Sequence, residues 1–217
     1  MEIKAAKKEE VKKGKFIAFE GIDGSGKSTQ IALLADRLKQ SGIRCYPTME
    51  PTDSPIGSLI HQVMTGRMKM DNRVIAALFA ADRLDHLLND IDGILHKINE
   101  GITVLTDRYY FSSYAYHSVD MPMEWVIKAN EQSSEILRPA VTVFIDVDPD
   151  TALERIAKNR FRQELYEKKS RLVKVRENYE RAFGLLEKEE NYVIIDGSQT
   201  KERIAGMVWD AVKGYFD

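Results

Sequence analysis

Apolar residues in this chain fall into short runs and helical repeats that alternate along its length. Lys15–Glu20 (KFIAFE) is apolar, short and followed by a glycine-rich turn, which predicts a strand. From Lys27 to Ser41, the residues Ile31, Leu34, Ala35 and Leu38 recur at helical spacing, and Gly42 stops the helix. Ile43–Met49 predicts a second strand, and Ile56–Met64 a short helix closed by Gly66. Arg73–Glu100 carries Ala76, Phe79, Ala80, Leu84, Leu87, Leu88, Ile91, Ile94, Leu95 and Ile98 at intervals that predict one long helix, ended by Gly101. Ile102–Thr106 is the third strand. After a loop, Met123–Leu137 reads as a helix with Pro122 in its first turn. The unbroken apolar run Val141–Val147 predicts a fourth strand buried on both faces. Thr151–Lys158 and Ser170–Glu187 are helical on either side of a charge-dense segment, Asn159–Lys169. Tyr192–Ile195 is the fifth strand and Lys201–Phe216 the closing helix. Strands alternating with helices imply parallel pairing through right-handed crossovers. The expected fold is therefore α/β: a five-stranded parallel sheet between helices in three layers, with a short charged lid at about residues 159–169.

Composition narrows the picture. A chain of 217 residues with 43% hydrophobic and 30% charged residues fits one soluble domain with a real core. A net charge of −2 offers no global footprint for nucleic acid, and no apolar run approaches the length of a membrane span. The single cysteine, Cys45, excludes an internal disulfide and fits a reducing compartment, so a cytoplasmic location is expected. Residues 1–15 mix lysine with glutamate and lack the apolar core of a signal peptide. They read as a solvated extension ahead of one domain, residues 16–217.

The strongest chemical signal is GIDGSGKS, Gly21–Ser28, placed between a strand and a helix. Gly21, Gly24 and Gly26 let the chain wrap with backbone N–H groups facing phosphate oxygens, and the following helix adds its positive end. Lys27 can reach the β- and γ-phosphates, and Ser28 can offer a hydroxyl to Mg²⁺. Three classes share such a loop: a kinase of a small acceptor, a guanine-nucleotide switch and a motor ATPase. The switch wants an N-K-x-D tetrapeptide, which is absent, and the motor wants larger coupled domains. The kinase wants a second anion pocket and mobile basic residues.

The third strand leads into Asp107-Arg108-Tyr109, a carboxylate that can meet a Mg²⁺ water or an acceptor group and a guanidinium that can grip phosphate. Taken alone, the pair also fits a surface ion pair. Phe79 and Arg83 stand four apart on one helix face, suited to stacking on a base and bonding its edge, although Phe79 alone also fits core packing.

Together, FEGIDGSGKST (Phe19–Thr29), MEPTDSPIG (Met49–Gly57), LFAADR (Leu78–Arg83), DRYYFSSYAY (Asp107–Tyr116), FIDVDPDTALERI (Phe144–Ile156) and VRENYERA (Val175–Ala182) resemble the thymidylate kinase family. The resemblance implies an enzyme that transfers the γ-phosphoryl of ATP to dTMP with Mg²⁺. It implies an ATP site made of Gly21, Ile22, Asp23, Gly24, Ser25, Gly26, Lys27, Ser28 and Thr29, with Ser28 and Asp107 at the metal. It implies an acceptor site drawing on Asp23, Glu50, Pro51, Phe79, Arg83, Arg108, Ser113, Tyr116 and His117. Phe79 would stack on thymine, Arg83 bond its edge, Arg108 hold the monophosphate and Tyr116 lie under the deoxyribose. It also implies a homodimer, with Arg73–Glu100 as the first candidate interface. The chain departs from the family pattern at Met49, where arginine is frequent, at Thr52-Asp53 in place of glycines, and at His117 in place of glutamine. The lid sequence Glu164-Leu165-Tyr166-Glu167 lacks the usual arginine, so Arg160 and Arg162 become the candidate catalytic cations. A deoxynucleoside kinase or another nucleoside monophosphate kinase is the enzymatic alternative, and an ATP-gated switch the non-enzymatic one.

Overall fold

The computed structural model describes residues 12–159 and 168–216. Five parallel strands form one sheet in the order β2-β3-β1-β4-β5. They are β1 (Phe16–Glu20), β2 (Cys45–Met49), β3 (Thr103–Asp107), β4 (Val141–Asp146) and β5 (Tyr192–Asp196). The helices are α1 (Lys27–Gln40), α2 (Pro55–Met64), α3 (Asn72–Leu88), α4 (Ile94–Asn99), α5 (Tyr110–His117), α6 (Met123–Ile136), α7 (Pro149–Asn159), α8 (Lys169–Leu186) and α9 (Lys201–Val212), the last running into a 3₁₀ turn at Lys213–Tyr215.

The three-layer expectation holds because β1 is buried on both faces and its side chains alternate between two cores. Ile17 and Phe19 pack with Ile31, Leu34 and Leu38 of α1 and Ile204, Val208 and Val212 of α9. Phe16 and Ala18 belong to the opposite cluster, which contains Tyr114 of α5 and Leu172, Val175, Tyr179 and Phe183 of α8. Each large aliphatic side chain so buried contributes about 1.5–3 kcal/mol before entropy is counted. Pro47 lies in β2, an edge strand, opposite Leu105 of β3, a position where a missing N–H is tolerated.

Two elements differ from the expectation. The long helix over Arg73–Glu100 is two helices, α3 and α4, with residues 89–93 between them. The Asn89 side chain accepts the N–H groups of Ile91 and Asp92, and the Gly93 N–H donates to the Asn89 carbonyl, so the backbone turns instead of continuing. A Cβ at Gly93 would stand 2.3 Å from that carbonyl oxygen, so the turn needs glycine. Ile91, expected in the core, is consequently 84% exposed. The second difference is α5, expected as loop. All eight of its residues are buried, so its sequence carries no polar stripe to reveal a helix. Most of the expected extension and most of the expected lid, with its candidates Arg160 and Arg162, lie outside the described residues. Among the described residues no helix is long and apolar enough to cross a membrane.

Register decides what meets at the carboxyl edge of the sheet. Phe19 of β1 and Met49 of β2 both stand opposite Asp107 of β3, while Glu20 stands opposite Phe144 of β4. The turn after β1, the loop after β2 and the turn after β3 therefore share one crevice, where strand order reverses around β1.

Candidate active site

A cleft of about 670 Å³ opens at that edge. One side is formed by Asp23–Gln30, Arg155 of α7, and Gln199, Lys201 and Ile204 around the start of α9. The other is formed by Met49–Pro51, Phe79, Asp107, Arg108, Ser113, Tyr116 and His117, with His61, Met64 and Thr65 from α2 and the residue after it. The phosphate loop thus faces the second group of residues across one continuous space, which has room for two ligands.

Gly21, Gly24 and Gly26 all have positive φ, at 146°, 79° and 100°. Gly24 has a second constraint invisible in the motif: a Cβ there would meet the Ala152 carbonyl oxygen of α7 at 2.4 Å. Lys27 is 5% exposed, and its Nζ donates to the carbonyls of Gly21 and Ile22 at 3.1 Å each, with Asp107 Oδ1 at 3.9 Å. Burial, reinforced by the neighbouring Arg108 charge, pulls its pKa below the ordinary lysine value. Gly21 and Ile22 thus serve the loop with carbonyls from beneath and do not line the cleft. Ser28 Oγ donates to Asp107 Oδ2 at 2.5 Å, joining the loop to the end of β3.

Arg108 begins the other side of the cleft. Its φ of 78° is the only positive value on a non-glycine residue among those described, a conformation that costs about 1–2 kcal/mol. The guanidinium donates to Asp23 Oδ1 at 2.6 Å, Ser112 Oγ at 3.0 Å, Tyr116 Oη at 3.2 Å and the Gly21 carbonyl at 3.3 Å. It also stands 4.8 Å from the centre of the Tyr116 ring. The Tyr116 hydroxyl donates to Asp23 Oδ2 at 2.8 Å and accepts the Asp23 N–H at 3.0 Å. Burial raises the Asp23 pKa, but Arg108, Lys27 and the Tyr116 hydroxyl outweigh it and hold the carboxyl below its ordinary value.

Phe79 lines the cleft, and its ring lies 5.0 Å from that of His117 at a tilt of 58°. Arg83 does not reach the cleft. It is 1% exposed and donates to Glu50, Ser113, Asn130 and the Tyr109 carbonyl, with a second nitrogen 2.7 Å from Glu50. These contacts occupy the five N–H groups a guanidinium possesses, which leaves none for a base edge in this arrangement. Glu50 is in turn 3.2 Å from His86 Nδ1, whose other nitrogen lies 2.8 Å from Thr48 Oγ1. Arg83 and Glu50 therefore brace the loop after β2 together. Asp82 braces it from the next position of α3, accepting the Thr52 N–H and hydroxyl and the Ser54 hydroxyl. That gives Thr52, one of the departures, a defined task. Asp82, His86, Ser112, Arg155 and Tyr179 were not among the expected site residues. The sequence sign for Asp82 is an acid next to Arg83 in the otherwise apolar run LFAADR.

His117 is 3% exposed, and burial, with Arg83 and Arg171 adding to it, pushes its pKa down to about 3. The ring is thus neutral at physiological pH. Because the folded value lies below the ordinary 6.5, the unfolded chain takes up this proton more readily. Stability from this group is complete above pH 6.5 and is lost as pH falls toward the folded value, by roughly 2 kcal/mol at pH 5. His117→Gln is expected to gain melting temperature relative to the parent as pH drops from 7 to 5. An unchanging difference across that range would contradict the burial argument.

A phosphate loop facing a second basic pocket across one cleft, on a parallel sheet, defines a P-loop kinase of small phosphorylated acceptors. Comparison with known proteins gives the family. The model of the thymidylate kinase family matches residues 19–208. A probable thymidylate kinase of Pyrobaculum aerophilum is 41% identical over 199 residues, 91% of this chain and 96% of the relative. One from Methanocaldococcus jannaschii is 35% identical over 92% of this chain and 94% of its own. The thymidylate kinase of Ligilactobacillus salivarius is 38% identical over 88% and 93%. The chain belongs to the thymidylate kinase family, and is an ATP-dependent nucleoside monophosphate kinase.

Proposed function

We propose that the chain transfers the γ-phosphoryl of ATP in line to the phosphate of dTMP, giving dTDP, with Arg108 as the grip on the acceptor phosphate. The observation that carries this reading is Arg108 itself, a strained, half-buried cation held over the phosphate loop from the far side of the cleft. A phosphate dianion is already a nucleophile, so the site needs positioning and positive charge rather than a general base. Lys27 supplies charge at the β- and γ-phosphates, Arg155, Gln199 and Lys201 flank the nucleotide side, and Phe79 with neutral His117 faces the base. Tyr116, fixed through Asp23, underlies the sugar. Ser28 and Asp107 would hold Mg²⁺, and their 2.5 Å contact fits an oxygen donor pair. No group of three or more His, Cys, Asp or Glu side chains suited to a metal occurs among the described residues, as fits an ion carried largely by nucleotide phosphates. When bound, Mg²⁺ would neutralise phosphate charge. The same reading includes Arg160 or Arg162 as the lid cation and a cytoplasmic homodimer. Exposed Val74 and Leu88 on α3 support the dimer, and sedimentation would read it.

A coupled assay with ATP and a panel of acceptors tests the reading. dTMP is expected to be turned over best, and thymidine, which lacks the phosphate that Arg108 would hold, not at all. Phe79→Ala should raise KM for dTMP by the equivalent of about 1–3 kcal/mol of lost stacking, with KM for ATP little changed. Preferred turnover of thymidine, or equal effects of Phe79→Ala on both substrates, would overturn it.

A further inference from the structure

The left-handed conformation of Arg108 persists only because its surroundings fix it on both sides. Its own N–H donates to the Phe19 carbonyl at 2.9 Å, and its carbonyl accepts the Thr106 hydroxyl at 2.8 Å. The next N–H, that of Tyr109, donates to Glu20 Oε1 at 2.8 Å. Glu20 is the last residue of β1 and is fully buried. Four donors converge on its carboxylate, two per oxygen: besides Tyr109, the Ser112 N–H at 3.1 Å on Oε1, and on Oε2 the Ser112 hydroxyl at 2.6 Å and the Tyr179 hydroxyl at 2.8 Å. Ser112 Oγ is also the atom on which the Arg108 guanidinium rests. Glu20 therefore holds the peptide that follows Arg108 and the hydroxyl beneath its side chain at once. Through Tyr179 it ties both to α8.

Burying a carboxylate is costly unless donors surround it, and every donor here belongs to the Arg108 turn or to the helix packed against it. Glu20 does not line the cleft and cannot touch either substrate. We propose that Glu20 is a positioning residue for phosphoryl transfer, locking the backbone and guanidinium of Arg108 into the geometry that receives the acceptor phosphate and anchoring that geometry to α8 through Tyr179. The inference rests on the reading of Arg108 as the acceptor-phosphate grip.

The test is a double-mutant cycle of Glu20→Gln and Arg108→Ala, measuring KM for dTMP and for ATP together with melting temperature. Glutamine keeps the shape and removes the charge and one acceptor oxygen. Glu20→Gln is expected to raise KM for dTMP about tenfold, the scale of one charge-assisted hydrogen bond, and to leave KM for ATP within about twofold. Added to Arg108→Ala, it should change KM for dTMP no further. Tyr179→Phe keeps the ring against Phe144 and Phe183 and should raise KM for dTMP about threefold, also only while Arg108 is present. Should Glu20→Gln fail to fold, the Tyr179→Phe cycle with Arg108→Ala decides alone. Additive effects beside an impaired Arg108→Ala, equal rises in both KM values, or wild-type KM in both Glu20→Gln and Tyr179→Phe would overturn the Glu20 role alone. An Arg108→Ala variant with unchanged KM for dTMP would instead sink the acceptor-site reading, and this inference with it.

Discussion

Lys27→Ala is expected to lower kcat on the order of 10³-fold while the melting temperature stays close to that of the parent. The ammonium is almost wholly buried, and its bonds go to two carbonyls of its own loop. Burial and the neighbouring Arg108 already disfavour its charged form, with Asp107 and Asp23 only partly restoring it. Such a cation contributes little to folding, because its desolvation offsets its contacts. Its value appears when charge spreads over the transferring phosphoryl, where a fixed donor is worth most. Thermal melting and steady-state kinetics on the same preparation separate the two effects. Near wild-type turnover in a normally melting variant would remove Lys27 from the chemistry.

Arg108→Ala is expected to raise KM for dTMP on the order of 10²-fold, with a further fall in kcat and a small change in KM for ATP. Losing the guanidinium also leaves Asp23, among the described residues, with the Tyr116 hydroxyl and nearby Lys27 as partners. A companion variant separates the side chain from the backbone that carries it. Arg108→Gly removes the same guanidinium but accepts a φ of 78° without strain, so it should be about 1 kcal/mol more stable than Arg108→Ala. The two variants should nevertheless be equally impaired toward dTMP. Restored KM in Arg108→Gly would mean that the turn, and not the guanidinium, matters to binding.

The sheet was legible because each central strand is an apolar run too short for a helix, bounded by glycine or charge. The phosphate loop was legible because its spacing is set by backbone geometry within a few residues. Arg108 could be placed at the end of β3 from the same local logic. What escaped depended on distant partners or on uniform burial. Phe79 and Arg83 do share a helix, yet only Phe79 reaches the cleft; Arg83 turns to Glu50, Ser113 and Asn130, which come from three other parts of the chain. Glu20 meets Tyr179 across 159 residues of sequence, and no local pattern signals that bond. The α5 helix is buried all round, so neither period nor polarity marks it. The break at Asn89 was the exception, since an asparagine and two aspartates before a glycine are turn formers in plain sight.

Pro47 has a consequence outside the active site. An open parallel sheet ends in rows of unpaired backbone groups that can recruit a strand from another molecule. On β2 that row is interrupted at its middle residue, because proline brings no N–H, while β3 occupies the other side of the strand. A foreign strand aligned along β2 would lose a bond at the centre of the ladder. The β2 edge thus resists the aggregation by strand addition to which a concentrated α/β protein is exposed.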